Sequence, residues 1–108
     1  MYRISIIGSG VVGFVVGAGF SELGYDVIFY DVDRKKVEEL AAKGYRSTSD
    51  IAKAVSDSDV SFISVPTPTV NDRMDQTQLV DATERVADAL IKKTSYHAIV
   101  VKSTVLPQ

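Results

Sequence analysis

The pattern Gly8-Ser9-Gly10-Val11-Val12-Gly13 constrains this chain more than any other feature, because of what stands on either side of it. Before it, Arg3 to Ile7 is a short β-branched run; after it, an apolar stretch rich in small residues continues to Leu23 and Gly24. That order predicts a strand, a tight turn and a helix, with Gly24 near the helix C-terminus. In such a turn Gly8 permits the sharp bend, Gly10 lets a phosphate group come close to the backbone, and Gly13 lets the helix lie on the strand. A lone G-x-G-x-x-G is a weak signal, and the strand–turn–helix setting is what gives this one weight.

The rest of the chain repeats that alternation. Tyr25 to Tyr30 is almost continuously apolar, as a parallel strand buried on both faces must be. From Asp33, Val37, Leu40 and Ala41 recur at helical spacing, with the aspartate able to cap the start and Gly44 just past the end. Thr48-Ser49-Asp50 can cap a short helix carrying Ile51, Ala52 and Val55, and Val60 to Val65 forms the next clear strand. Pro66-Thr67-Pro68 must leave the sheet, since proline lacks the ladder donor, and a loop is expected as far as Met74. Asp75 can cap a helix in which Leu79, Val80, Thr83, Val86, Ala87, Leu90 and Ile91 share one face, with Lys92 and Lys93 suiting its C-terminal dipole. Ala98 to Val101 is the last clear strand, and Tyr45 to Thr48 is a candidate for a short fifth. The expected fold class is α/β: a Rossmann-like, doubly wound parallel sheet of about five strands with helices on both faces, incomplete at one edge. Residues 1–108 are expected to form one domain.

Charge and cysteine content narrow the chemistry. Twelve basic and fourteen acidic residues, interspersed, leave a net charge of −2, so a nucleic-acid partner is not expected. No apolar run is long enough to span a bilayer, which predicts a cytoplasmic protein without a membrane partner. The chain has no cysteine, which excludes a disulfide, a thiolate metal site or a thiol nucleophile among these residues. No spacing of carboxylates with the one histidine, His97, resembles a metal site, and His97 reads as a turn residue rather than a base. Asp57, Asp59, Asp72 and Asp75 read as turn and cap residues.

The candidate ligand is a dinucleotide. The backbone of Gly8, Ser9, Gly10, Val11, Val12 and Gly13 would present unpaired N–H groups and the positive end of a helix dipole to a diphosphate. Asp31, 18 positions after Gly13 at the end of the second strand, is placed to accept hydrogen bonds from the adenosine ribose hydroxyls. A 2′-phosphate would be repelled there, which favours NAD over NADP; Arg34, beside that carboxylate at the cofactor edge, and Lys35 temper the argument. The Arg34-Lys35-Lys36 run otherwise reads as a solvated helix face. Val65, Pro66 and Thr67 follow a strand at the edge where open α/β sheets bind ligands, and Ser103 and Thr104 follow the last strand at the same edge. Those hydroxyls can face a cofactor, or the two segments can be a proline-stiffened loop and an ordinary polar strand end.

Three motifs in order, Gly8-Ser-Gly-Val-Val-Gly, Val65-Pro-Thr-Pro and Val101-Lys-Ser-Thr-Val, closely resemble the amino-terminal domain of the UDP-glucose/GDP-mannose dehydrogenase family. Gly17-Ala-Gly-Phe-Ser-Glu-Leu-Gly-Tyr-Asp-Val and Asp72-Arg-Met-Asp75 are similar to other parts of that domain. The resemblance implies an NAD-dependent oxidation of the C6 alcohol of a nucleotide sugar, carried out twice to leave a uronic acid for polysaccharide biosynthesis. It also implies a nucleotide-sugar partner and a dimer in the full-length protein, with Thr67 and Thr104 lining the cofactor site and Thr104 helping to orient a water. Val11 stands where members often carry an aromatic residue. The family's second oxidation uses a cysteine that lies well beyond position 108 in such proteins, and its members continue past Lys-Ser-Thr-Val through a Pro-Gly turn. The expectation is therefore the cofactor-binding part of a longer dehydrogenase, inactive alone. The alternative is a freestanding dinucleotide-binding regulatory or sensor module without catalysis.

Overall fold

In the first strand, β1 (Arg3–Ile7), Ile4 and Ile6 point to one side and Ser5 and Ile7 to the other, and all four are buried. A strand buried on both faces needs a layer of structure on each side. The computed structural model, which describes residues 2–8, 10–64, 69–70, 73–74, 77–91, 93 and 97–101, supplies both layers. After β1 come α1 (Val11–Glu22), β2 (Asp26–Tyr30), α2 (Arg34–Ala42), β3 (Arg46–Thr48), α3 (Ile51–Ser56) and β4 (Val60–Ile63). The chain continues through β5 (Thr69–Val70), β6 (Arg73–Met74), α4 (Thr77–Ile91) and β7 (Ala98–Val101). Five parallel strands form one sheet in the order β3-β2-β1-β4-β7. This is the Rossmann-like architecture that the alternating pattern predicts, and the candidate fifth strand is β3.

One face of the sheet packs Ile4, Ile6, Val27, Phe29 and Leu40 together, covered by Phe14, Val16 and Phe20 of α1. Helix and strands approach closely here because α1 turns Gly13 and Gly17 inward. A Cβ on Gly17 would run into the Phe29 ring and stand 3.0 Å from Ile6 Cγ1. On the other face Ile7, Ile28, Tyr30 and Ile63 meet Ala54 and Val55 of α3 and Ala82 and Val86 of α4. Full burial of side chains such as Phe29 or Ile63 stabilises the fold by about 1.5–3 kcal/mol each.

The helix ends follow the expected chemistry. Asp33 caps α2 by accepting from the Lys35 N–H at 2.9 Å, and Gly44, at φ 91°, ends it. Asp50 caps α3 by accepting from the N–H groups of Ala52 and Lys53.

One expectation needs correction and another needs extending. The segment from Pro66 to Met74 is not all loop: Thr69 pairs with Met74 and Val70 with Arg73 in an antiparallel ribbon. Strands of two residues are too short to show an alternating pattern. Lys93, placed at the end of α4 as expected, also serves a second helix. Its ammonium reaches the carbonyls of Val55, at 3.0 Å, and Ser58, at the C-terminal end of α3. The last carbonyls of an α-helix have no N–H partner further along the helix, and an ammonium beside them adds donors.

Candidate cofactor site

The end of β1 is tied to β2 by the Gly8 N–H, which donates to the Tyr30 carbonyl at 2.9 Å. Gly8 has φ 101°, a conformation that L side chains rarely adopt, and this bend sends the chain toward α1. Gly10 then stands at the N-cap of α1 in an extended conformation, and its carbonyl accepts the first helical bond, from the Phe14 N–H at 2.8 Å. Among the described residues no side chain caps this helix. The first N–H groups of any α-helix lack an acceptor inside the helix, so here they face outward together with the positive end of the dipole.

The glycines divide the work of the turn. At Gly10 a Cβ would meet none of the described residues within 4 Å, so among them the space over the helix start is open. At Gly13 a Cβ would overlap the Gly8 carbonyl and lie 3.2 Å from Ile6 Cγ2, so α1 can rest on β1 only with hydrogen at that position. Val11 is 83% exposed at the tip of the turn, and Val12 is half-buried behind it.

Asp31 is the residue after β2. Because Ile7 and Tyr30 are register partners, its backbone emerges beside the glycine turn. Its N–H donates to the Thr48 carbonyl at 3.3 Å, and its Oδ1 accepts from the Asp33 N–H at 2.9 Å. The bond from the Asp33 N–H fixes the orientation of the side chain. The carboxylate lies just under the surface, whereas Val32 next to it is 73% exposed. Arg34, exposed, is the first residue of α2 on the same edge. Val32 carries no sequence signal, since an apolar residue at a strand end reads as core.

The structure thus brings Gly8, Gly10, Val11, Val12, Gly13, Asp31 and Arg34 to one edge of the sheet. Ser9, Val65, Pro66, Thr67, Ser103 and Thr104 lie outside the described residues, although β4 and β7 both run toward this edge. Among the described residues there is no cluster of metal-ligating side chains, and no helix is long and apolar enough to cross a membrane. A groove of about 470 Å³ between α3 and α4, lined by Ile51, Arg85 and Asp88 among others, belongs to a different part of the molecule.

An open, uncapped helix start beside a strand-end carboxylate fits a dinucleotide, and the family comparison agrees. Residues 2–45 and 40–108 match the model of the UDP-glucose/GDP-mannose dehydrogenase family, NAD binding domain. The chain belongs to this family. Its NAD binding domain is the part matched, so the cofactor is NAD. UDP-glucose 6-dehydrogenase AglM of Haloferax volcanii is 33% identical over 98% of the chain. GDP-mannose 6-dehydrogenase of Pseudomonas aeruginosa is 36% identical over 97%. The chain spans 29% of the length of each of these relatives. The crystal structure of a ternary complex of GDP-mannose dehydrogenase from Pseudomonas aeruginosa superimposes with a TM-score of 0.87 at 35% identity, covering 97% of this chain and 29% of that one.

Proposed function

We propose that this chain holds NAD along the edge formed by the ends of β1, β2 and β4, for a nucleotide-sugar 6-dehydrogenase. The observation that carries this reading is the uncapped start of α1, where Gly10 leaves open space above backbone N–H groups. The diphosphate rests there, held by the amides of residues 8–13 and by the helix dipole. Asp31 accepts from the adenosine ribose hydroxyls, and Val32 offers an apolar surface to the adenine. Val65, Pro66, Thr67, Ser103 and Thr104 serve the nicotinamide side, with Thr104 orienting a water near the reacting carbon.

In the whole protein, the reaction converts the primary alcohol at C6 of a UDP- or GDP-sugar to a carboxylate in two steps, each delivering a hydride to one NAD. These 108 residues contain no cysteine, so they bind and orient the oxidant but do not supply the thiolate of the second step. On this reading the protein works in the cytoplasm.

The test is a fluorescence titration of the chain with NADH and NADPH, repeated with Asp31→Ala. NADH is expected to bind more tightly than NADPH. Loss of a hydrogen bond to a charged group costs about 1.5–3 kcal/mol, so Asp31→Ala should weaken NADH by about 10- to 150-fold and narrow the difference between the two. Equal titrations for both cofactors and both proteins would remove Asp31 from the site.

A further inference from the structure

At the end of the sheet opposite the glycine turn, a chain of polar side chains runs through the core. Ser5 and Ser61 are register partners on β1 and β4, fully buried, with their Oγ atoms 2.6 Å apart. Ser61 Oγ is 2.8 Å from His97 Nε2, and His97 Nδ1 is 3.0 Å from Lys93 Nζ. Ser58, also fully buried, joins the group by donating to the Ala54 carbonyl at 2.8 Å and lying 3.0 Å from Ser5 Oγ.

One proton arrangement satisfies these contacts with Lys93 charged. Lys93 as an ammonium has three N–H groups and three acceptors: the Val55 and Ser58 carbonyls and His97 Nδ1. Since Nδ1 accepts, a neutral His97 carries its proton on Nε2 and donates it to Ser61 Oγ. We propose that this chain is a proton-sensitive latch, tying the lead-in to β7 and the end of α4 to the sheet while His97 is neutral, and releasing them when it takes a second proton. That proton would sit on Nδ1, facing the Lys93 ammonium.

β7 depends on such an anchor because its own pairing and burial are slight. Among the described residues it pairs only with β4, and Ile99, Val100 and Val101 are each 38–50% exposed, so apolar burial contributes little. The Ala98 N–H donates to the Asp59 carbonyl at 2.9 Å, directly beside the latch. Among the described residues, the charged groups facing His97 are Lys93 from the end of α4 and Asp59 from the α3–β4 connection, with Arg3 of β1 paired to Asp59. Burial first, then Lys93, pull the imidazole below its usual 6.5. The neutral form is therefore favoured in the folded state. Stability from the latch is full above about 6.5 and declines as pH falls from there toward the folded value.

His97 is the single histidine, so its ring nitrogens can be followed without assignment ambiguity in long-range ¹H–¹⁵N spectra of the labelled chain. Expected are an Nε2–H tautomer near neutral pH and a midpoint below 6.5. Amide exchange at residues 98–101, corrected for intrinsic rates, should lose protection by up to about tenfold per pH unit between 6.5 and that midpoint, while β1 and β2 keep theirs. His97→Gln should abolish this pH dependence; if that variant does not fold, the wild-type titration decides alone. An Nδ1–H tautomer, a midpoint at or above 6.5, or β7 protection unchanged through the midpoint would overturn the proposal.

Discussion

The Gly8 carbonyl lies so close to Gly13 Cα that a methyl group at position 13 would overlap it. The contact is backbone against backbone, with Ile6 Cγ2 closing the other side, so no rotamer change relieves it. Gly13→Ala must lift the start of α1 from β1. A cost of about 1–3 kcal/mol is expected for forcing a methyl into a packed position, visible as a lower midpoint in thermal or urea unfolding. NADH binding should fall with it, because the turn itself moves.

Gly10→Ala should separate the two effects. Gly10 has φ −65°, which alanine adopts freely, and none of the described residues lies within 4 Å of its added methyl. Stability should change by no more than about 1 kcal/mol, the scale of a weaker N-cap residue. The methyl would, however, stand where a diphosphate approaches the helix start. NADH affinity is expected to drop by about tenfold or more, measured by fluorescence titration at a temperature where both proteins are folded. Unchanged affinity would place the diphosphate elsewhere.

These two glycines show what was legible before the fold was known. The turn, the helix caps at Asp33 and Asp50, and the apolar runs of β1, β2 and β4 are local patterns, and local patterns survive in a sequence. Asp31 was legible from its spacing to Gly13. The bond that orients its Oδ1, from the Asp33 N–H, was not, since Asp33 alone already accounts for the helix cap. β3 has only Arg46, Ser47 and Thr48 to announce it, and an edge position asks for no apolar pattern. Ser61 and His97 are 36 positions apart and Ser5 and Ser61 are 56 apart, so their contact depends on strand order and register. His97, without a nearby acid, therefore read as a turn residue although its partners are a serine and a lysine.

Arg3 and Asp59 join the start of β1 to the start of β4. The Arg3 guanidinium donates to Asp59 at 3.2 and 3.3 Å and the Arg3 backbone N–H donates at 2.9 Å. These hydrogen bonds hold the Asp59 carboxyl at about 2, against an ordinary 3.8. A lowered folded value means the unfolded chain takes up the proton first. The stabilisation is therefore full above about 3.8 and lost as pH falls through about 2. Melting temperatures of the wild type and Asp59→Asn, compared between about pH 5 and about pH 2, should converge toward the acid end. A constant difference across that range would mean that the ionised carboxylate is not what stabilises the strand start.

α3 has only six residues, too few to be stable without support at its ends. Yet it delivers Ala54 and Val55, both fully buried, to the core beneath β1, β2 and β4. Its first turn is held by Asp50 Oδ1, which accepts from Ala52 N–H at 3.0 Å and Lys53 N–H at 3.4 Å, and near its end the Val55 carbonyl accepts from Lys93. Asp50→Ala should cost about 0.5–2 kcal/mol, read from the urea midpoint at constant m-value, and Asp50→Ser, which restores a capping oxygen, should recover most of it. If serine and alanine lose the same amount, the capping bond is not the source of the loss. Because α3 packs on the face opposite α1, neither substitution should alter NADH affinity while the chain remains folded.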